Sequence, residues 1–237
     1  MTTQPMGISL GGLWSNWWRV GGVAGILFLI MFIVGLVVQG EPPSFDDPVD
    51  EIQDWFTDNG EQYLVGDYII TLGFILFYLP FVASLRGLLA AAEGGAAVWS
   101  RVAFAAGILV MIFGATASLF WGALAFGFGV AEEGDEGTVK TLMYLDHYAF
   151  SQLPMIVATF LLGSSLVIWQ TGVFWRWLAL IGLVAAVLAV ISGLGILDSD
   201  PEGVLSGLGF IAFPLTGLWL LLVSINMILK KESPATT

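Results

Sequence analysis

Six stretches of this sequence are apolar for long enough to cross a bilayer, at residues about 20–38, 63–85, 102–126, 142–168, 174–197 and 205–229. A helix needs about 20 apolar residues to traverse roughly 30 Å of hydrocarbon, and each run meets or approaches that length. The whole chain has 237 residues, so six crossings leave room for short connections and no separate soluble domain. The expected fold is all-α: a polytopic integral membrane protein built as one six-transmembrane-helix bundle. The third and fourth runs are longer than the hydrocarbon requires, which predicts tilting, kinking or protrusion. Composition agrees, since 57% of residues are hydrophobic, 11% are charged and the mean hydropathy is +0.89, whereas about a quarter of a soluble domain is charged.

The few charges are sorted along the chain. Of seven basic residues, Arg19, Arg86, Arg101, Arg176, Lys230 and Lys231 fall before the first run, after the even-numbered runs or at the tail, and only Lys140 lies elsewhere. Positive loops stay cytoplasmic, so both termini are predicted to be inside. The remaining loops, 39–62, 127–141 and 198–204, would then be outer loops. They hold fifteen acidic residues within 41–61, 132–136 and 198–202, which accounts for most of the net charge of −12. Residues 1–19 read as a cytoplasmic interfacial segment, 20–229 as a single transmembrane domain and 230–237 as a cytoplasmic tail. Trp14, Trp17 and Trp18 beside Arg19 suit the headgroup region. The first run is too long for a signal-peptide core and lacks a good cleavage site at Val37-Val38-Gln39-Gly40, so it reads as a retained anchor.

The first outer loop has helix signals of its own. Asp47 is placed to cap, Pro48 to open the first turn, Val49, Ile52 and Phe56 share a face, and Asn59-Gly60 supplies a stop. A short amphipathic helix on the outer surface is expected, the alternative being a solvated acidic loop.

The runs also resemble one another. Glycine follows arginine by six residues in each odd-numbered run, from Arg19 to Gly25, Arg101 to Gly107 and Arg176 to Gly182, with two aliphatic residues after each glycine. Leu72-Gly73-Phe74-Ile75-Leu76-Phe77 in the second run is echoed by Leu208-Gly209-Phe210-Ile211-Ala212-Phe213 in the sixth, and Pro80, Pro154 and Pro214 each enter an even run. This suggests one helical hairpin repeated three times in parallel orientation. Positive-inside bias, an aromatic belt and frequent glycine would produce a similar pattern without a repeat. Gly21 and Gly25, Gly107, Gly114, Ser118 and Gly122, and Gly182, Ala185, Ala189 and Gly193 offer flat faces for close helix packing, within the bundle or in a homo-oligomer. The prolines would free the carbonyls of Leu76, Phe150 and Phe210.

Only three ionisable acids and bases enter the runs deeply enough to suggest function: Asp67, Asp146 and His147. Charge inside a span is costly and so is a candidate functional feature. All three lie about one turn inside the outer end of an even run, accompanied by Tyr63, Tyr68, Tyr144 and Tyr148, with Gln152 deeper. If they met, a carboxylate could hold His147 protonated, or two carboxylates and an imidazole could bind a divalent cation. At this shallow depth a carboxylate can reach water, which removes most of the cost and favours a structural or interfacial role. Ser151, Gln152, Ser164, Ser165 and Asn226 are expected to make interhelical hydrogen bonds.

Several chemistries are excluded. Cysteine is absent and histidine occurs once, which removes disulfides, thiolate sites and multi-histidine zinc or haem ligation. No phosphate loop, nucleophile elbow or zinc helix is present, and Asp198, Asp200 and Glu202 lack the calcium-loop pattern. No cofactor is predicted, and seven basic residues without a stripe argue against nucleic acid.

The segments Trp18-Arg19-Val20-Gly21-Gly22-Val23-Ala24-Gly25, Tyr63-Leu64-Val65-Gly66-Asp67-Tyr68 after the acidic loop, and Leu85-Arg86 resemble the prokaryotic six-span membrane protein family called domain of unknown function 4386. That resemblance implies topology and a prokaryotic cell membrane, and carries no activity or site residues. The expected function is a non-enzymatic, transporter-like or sensory/accessory subunit, with lipid and a homo-oligomer or membrane protein as partners. The alternatives are a membrane-embedded enzyme using Asp67, Asp146 and His147, and a structural scaffold.

Overall fold

The computed structural model describes residues 16–44, 47–116, 119–126, 135–197 and 204–230. Trp14, Ser118, Lys231 and the acidic groups at 132–133 and 198–202 lie outside the described residues. The helices are α1 (Trp17–Gln39), α2 (Val49–Gly73), α3 (Leu79–Glu93), α4 (Val98–Thr116), α5 (Leu119–Ala125), α6 (Glu136–Ser151), α7 (Leu153–Thr171), α8 (Arg176–Gly193), α9 (Val204–Gly207) and α10 (Gly209–Leu229), and no strand occurs among the described residues. They form six rods long and apolar enough to cross a membrane: Trp17–Gln39, Val49–Glu93, Val98–Ala125, Glu136–Thr171, Arg176–Gly193 and Gly209–Leu229. The chain is a multi-pass membrane protein with a six-helix bundle.

Each rod packs on its neighbours in sequence and the sixth closes on the first, so the bundle is a ring in chain order. Rods 2 and 4 also touch across it. The interior is filled by aromatic side chains from the even rods: the Phe160 ring lies 6.4 Å from Tyr78 and 5.7 Å from Trp219, and all three are buried. The glycines six residues after each arginine are what let the odd rods close on this core. A Cβ on Gly25 would strike Ser224 Oγ of rod 6 and lie 2.7 Å from Phe81 of rod 2. On Gly107 it would lie 2.7 Å from Val82 of rod 2 and 3.3 Å from Phe160 of rod 4, and on Gly182 it would strike Ser165 Oγ of rod 4 and lie 2.7 Å from the Trp219 indole nitrogen of rod 6. Every odd rod therefore seats its glycine between the even rods on either side. Gly21 sits against Ser84, Gly114 against the Phe74 ring and Gly193 against Met155, while Gly122 has only Leu64 at 3.9 Å.

Rod 2 departs from expectation. At about 1.5 Å per residue its 45 residues run roughly 65 to 70 Å, about twice the hydrocarbon thickness. The predicted separate surface helix is instead the first part of α2, continuous with the span. Asn59-Gly60 does not stop it, because the Asn59 amide donates to the Trp55 carbonyl at 3.0 Å, and Gly60 serves close approach, its missing Cβ lying 3.0 Å from the Ala125 carbonyl. Nor does Asp47 cap the helix: its carboxylate accepts from Ser44 N–H at 2.8 Å, and Pro48 occupies the cap position itself.

The predicted kinks take two forms. Ahead of Pro80 the helix widens into a π turn over Phe74–Tyr78, where Leu79 N–H bonds the Phe74 carbonyl five residues back. Ahead of Pro154 rod 4 breaks at Gln152, whose N–H bonds the Ala149 carbonyl at 3.3 Å. Pro214 stays inside α10. A cap that the sequence reasoning missed is Asp135, whose carboxylate accepts from Thr138 N–H at 2.8 Å and starts α6.

The rods alternate in direction, so like charges gather at one end. Lys230 accepts from Arg19 through its carbonyl and donates to Val173, and Arg86 lies over the Phe104 ring; this is the basic face. At the acidic face, α2, α5 and α6 enclose a second small core of Ile52, Phe56, Tyr63, Leu124, Val139 and Met143. Lys140 ties its edge by donating to the Asp47 carbonyl at 2.7 Å.

Candidate functional site at the acidic face

Asp67 projects from α2 and Asp146 from α6, where the acidic-face core meets the bundle. Helical spacing turns Asp146 to the same side as Val139 and Met143, both buried, and so carries it toward rods 2 and 3. Asp146 and Asp67 are both half-buried. They lie within each other's electrostatic field, and the Trp121 backbone of α5 also reaches the Asp146 carboxylate. One oxygen of Asp146, Oδ1, is buried with no hydrogen-bond partner among the described residues. The Asp146 carboxylate thus lies within the field of Asp67, and like charges at this junction repel.

The other candidates fall elsewhere. His147, one position and about 100° further round α6, is exposed. Tyr68, Tyr144 and Tyr148 are 63%, 57% and 61% exposed, which fits aromatic rings at a membrane boundary. The Gln152 amide is turned to the Ser151 hydroxyl at 3.4 Å, and that hydroxyl donates to the Tyr148 carbonyl at 2.6 Å. Tyr63 belongs to the buried core, ringed by Trp55, Phe56 and Trp121. Among the described residues no group of three or more His, Asp or Glu side chains is placed to hold a metal ion, so Asp67, Asp146 and His147 do not form the three-ligand set considered from sequence.

The deeper polar residues also differ from expectation. Asn226 donates to the Leu222 carbonyl of its own helix at 2.9 Å. The hydroxyls of Ser164, Ser165 and Ser224 are fully buried without a partner among the described residues. Ser165 and Ser224 lie directly against Gly182 and Gly25, so they act as small residues that permit close approach. A concavity between rods 2, 3 and 4, lined by Val82, Arg86, Phe104 and Ser164, has no space for a water molecule.

Sequence reasoning missed the acidic-face core, because Leu124 and Val139 lie where an apolar run passes into an acidic loop. The signal available was the spacing Ile52, Phe56, Tyr63, which continues one helical face past Gly60. Geometry defines the class as a six-helix membrane bundle. No family model, curated protein or solved structure matches the chain.

Proposed function

We propose that this chain is a non-enzymatic sensory or accessory subunit of the cell membrane, with both termini cytoplasmic and its acidic face outside. The observation that carries this reading is Asp146, half-buried at the junction between the acidic-face core and the bundle, with one carboxylate oxygen buried and unpartnered among the described residues and Asp67 within its field. Neutralising one carboxylate, by a proton, a cation or a cationic partner group, relieves the repulsion between α2 and α6 and draws the outer layer together. Transport is supported less well, since aromatic side chains fill the interior of the ring. The enzyme alternative needs His147 beside the carboxylates, and its exposure on α6 counts against it. The resemblance to the prokaryotic six-span family agrees with this placement.

The absence of native cysteine allows a direct test. Cysteines replacing the exposed Asp58 and Glu136 are spin-labelled in the full chain in lipid nanodiscs, and the inter-label distance is measured between about pH 4 and pH 8, across the carboxylate range. The distance should shorten as pH falls and become insensitive in the Asp67→Asn, Asp146→Asn variant. A distance that does not respond to pH, or responds equally without the pair, rejects the reading. Impermeant thiol reagents applied to cells carrying the Asp58 cysteine test the orientation separately.

A further inference from the structure

The geometry points to a binding site for the phosphodiester headgroup of an anionic phospholipid at the corner of the basic face where rod 6 ends between rods 1 and 5. Arg19 and Lys230 meet there, and a third cation, Arg176, opens the neighbouring helix. Arg19 of α1 donates from its guanidinium to the Lys230 carbonyl at 3.5 Å. Lys230, at the end of α10, folds back so that its ammonium donates to the Val173 carbonyl at 3.3 Å and stands 6.0 Å from the Phe174 ring. Arg176 opens α8 three residues after Val173. Among the described residues no carboxylate pairs with any of the three.

Positive-inside bias explains why these cations share a face. It does not explain why Arg19 is brought onto Lys230, where the two cations repel. Carbonyl capping uses one Lys230 contact and one guanidinium arm, leaving most donors of Arg19 and all those of Arg176 directed to solvent or headgroups. Both arginines stand in the first turn of a helix, where the backbone dipole already disfavours a cation. An anion shared among them removes both costs, and a phosphodiester offers oxygens for two guanidinium forks.

The surroundings suit a lipid. Trp175 and Trp177 flank Arg176, their rings stacked at 5.7 Å and 19° and about half exposed. Indole rings at this depth present an apolar face to glycerol and acyl chains and an N–H to ester or phosphate oxygen. Basic pockets between membrane helices bind anionic headgroups by this chemistry. The inference rests on the chain being in a membrane and does not depend on which way it is inserted.

The full chain is tested by native mass spectrometry from mixed micelles containing phosphatidylglycerol and phosphatidylcholine with identical acyl chains. Phosphatidylglycerol should be retained on the order of tenfold or more over phosphatidylcholine. The Arg19→Gln, Arg176→Gln, Lys230→Gln variant should lose that preference, and Arg176→Gln, which leaves the Arg19–Lys230 and Lys230–Val173 contacts intact, should reduce it if the triple variant fails to fold. Arg86→Gln with Arg101→Gln, cations of the same face on rods 2 and 3, should leave it unchanged. Equal retention of the two lipids, equal loss in the rod 2 and 3 variant, or complete displacement by millimolar inorganic phosphate would overturn the site.

Discussion

The bundle interior and the acidic-face core are both apolar, and they are held together differently. Around Gly25, Gly107 and Gly182 the helices approach until a single added carbon would collide with a neighbour. Lipid tails are as apolar as leucine, so helix association there gains little from the hydrophobic effect and depends on close packing. Among the described residues the acidic-face core has no such seat apart from Gly60. It is a patch of Ile52, Phe56, Tyr63, Leu124, Val139 and Met143 on helices whose other faces carry exposed Asp50, Glu51, Asp54, Asp58 and Glu61. Rod 2 is too long to lie within hydrocarbon, so this part is surrounded by water, and burial there draws on the hydrophobic effect. One continuous rod therefore changes its rule of construction along its length, from amphipathic at residues 49–63 to predominantly apolar beyond them.

The contrast is broken most severely at Trp219. It is fully buried, touches Phe160 and closes the seat of Gly182. Trp219→Ala should cost about 3 to 5 kcal/mol, and because rods 4, 5 and 6 all meet there, the whole bundle should lose cooperativity in thermal unfolding in detergent. If only the sixth rod loosened while the others kept their hydrogen-exchange protection, the ring would not be a single packed unit.

Phe56→Ala probes the other region. Phe56 is 3% exposed and packs edge-on against Trp55, Tyr63 and Trp121. Its truncation should cost roughly 3 kcal/mol, yet the loss should be local: amides of residues 49–63 and 136–143 should exchange faster while those of α7 and α8 keep their protection. Equal loss in both sets would mean that the two cores unfold as one.

Much of the bundle could be read from residues. The apolar runs located six rods, and the arginine-to-glycine spacing picked the three positions where odd rods seat between even ones, because both features are local in sequence. The acidic layer was harder to read, since its core pairs residue 56 with residues 121 and 139, and no local pattern reports such pairing. Asn59-Gly60 looked like a stop because glycine serves both as a helix terminator and as a point of close approach, and only the presence of Ala125 opposite distinguishes them. The same reason governs the site. The apolar runs placed Asp67, Asp146 and His147 at one depth, but one residue step on a helix turns a side chain through about 100°, so depth alone could not show that Asp146 is half-buried within the field of Asp67 while His147 is exposed.

The smallest effect is expected at the carboxylate junction, where the sign carries the information. Asp146→Asn keeps the size of the side chain, removes its repulsion with Asp67 and leaves a neutral group with a buried oxygen that lacks a partner. Both carboxylates are half-buried and reach solvent, which weakens their interaction. The substitution should therefore stabilise the acidic layer by no more than about 1 kcal/mol, seen as slower exchange of α6 amides at neutral pH and no change in α8. Asp67→Asn should give a similar gain, and combining the two should add little, since either alone removes the repulsion. If Asp146→Asn instead loosened α6 at neutral pH, the charge would be holding the junction through a shared cation, and the difference between the two regions would include a bound ion as well as a change of solvent.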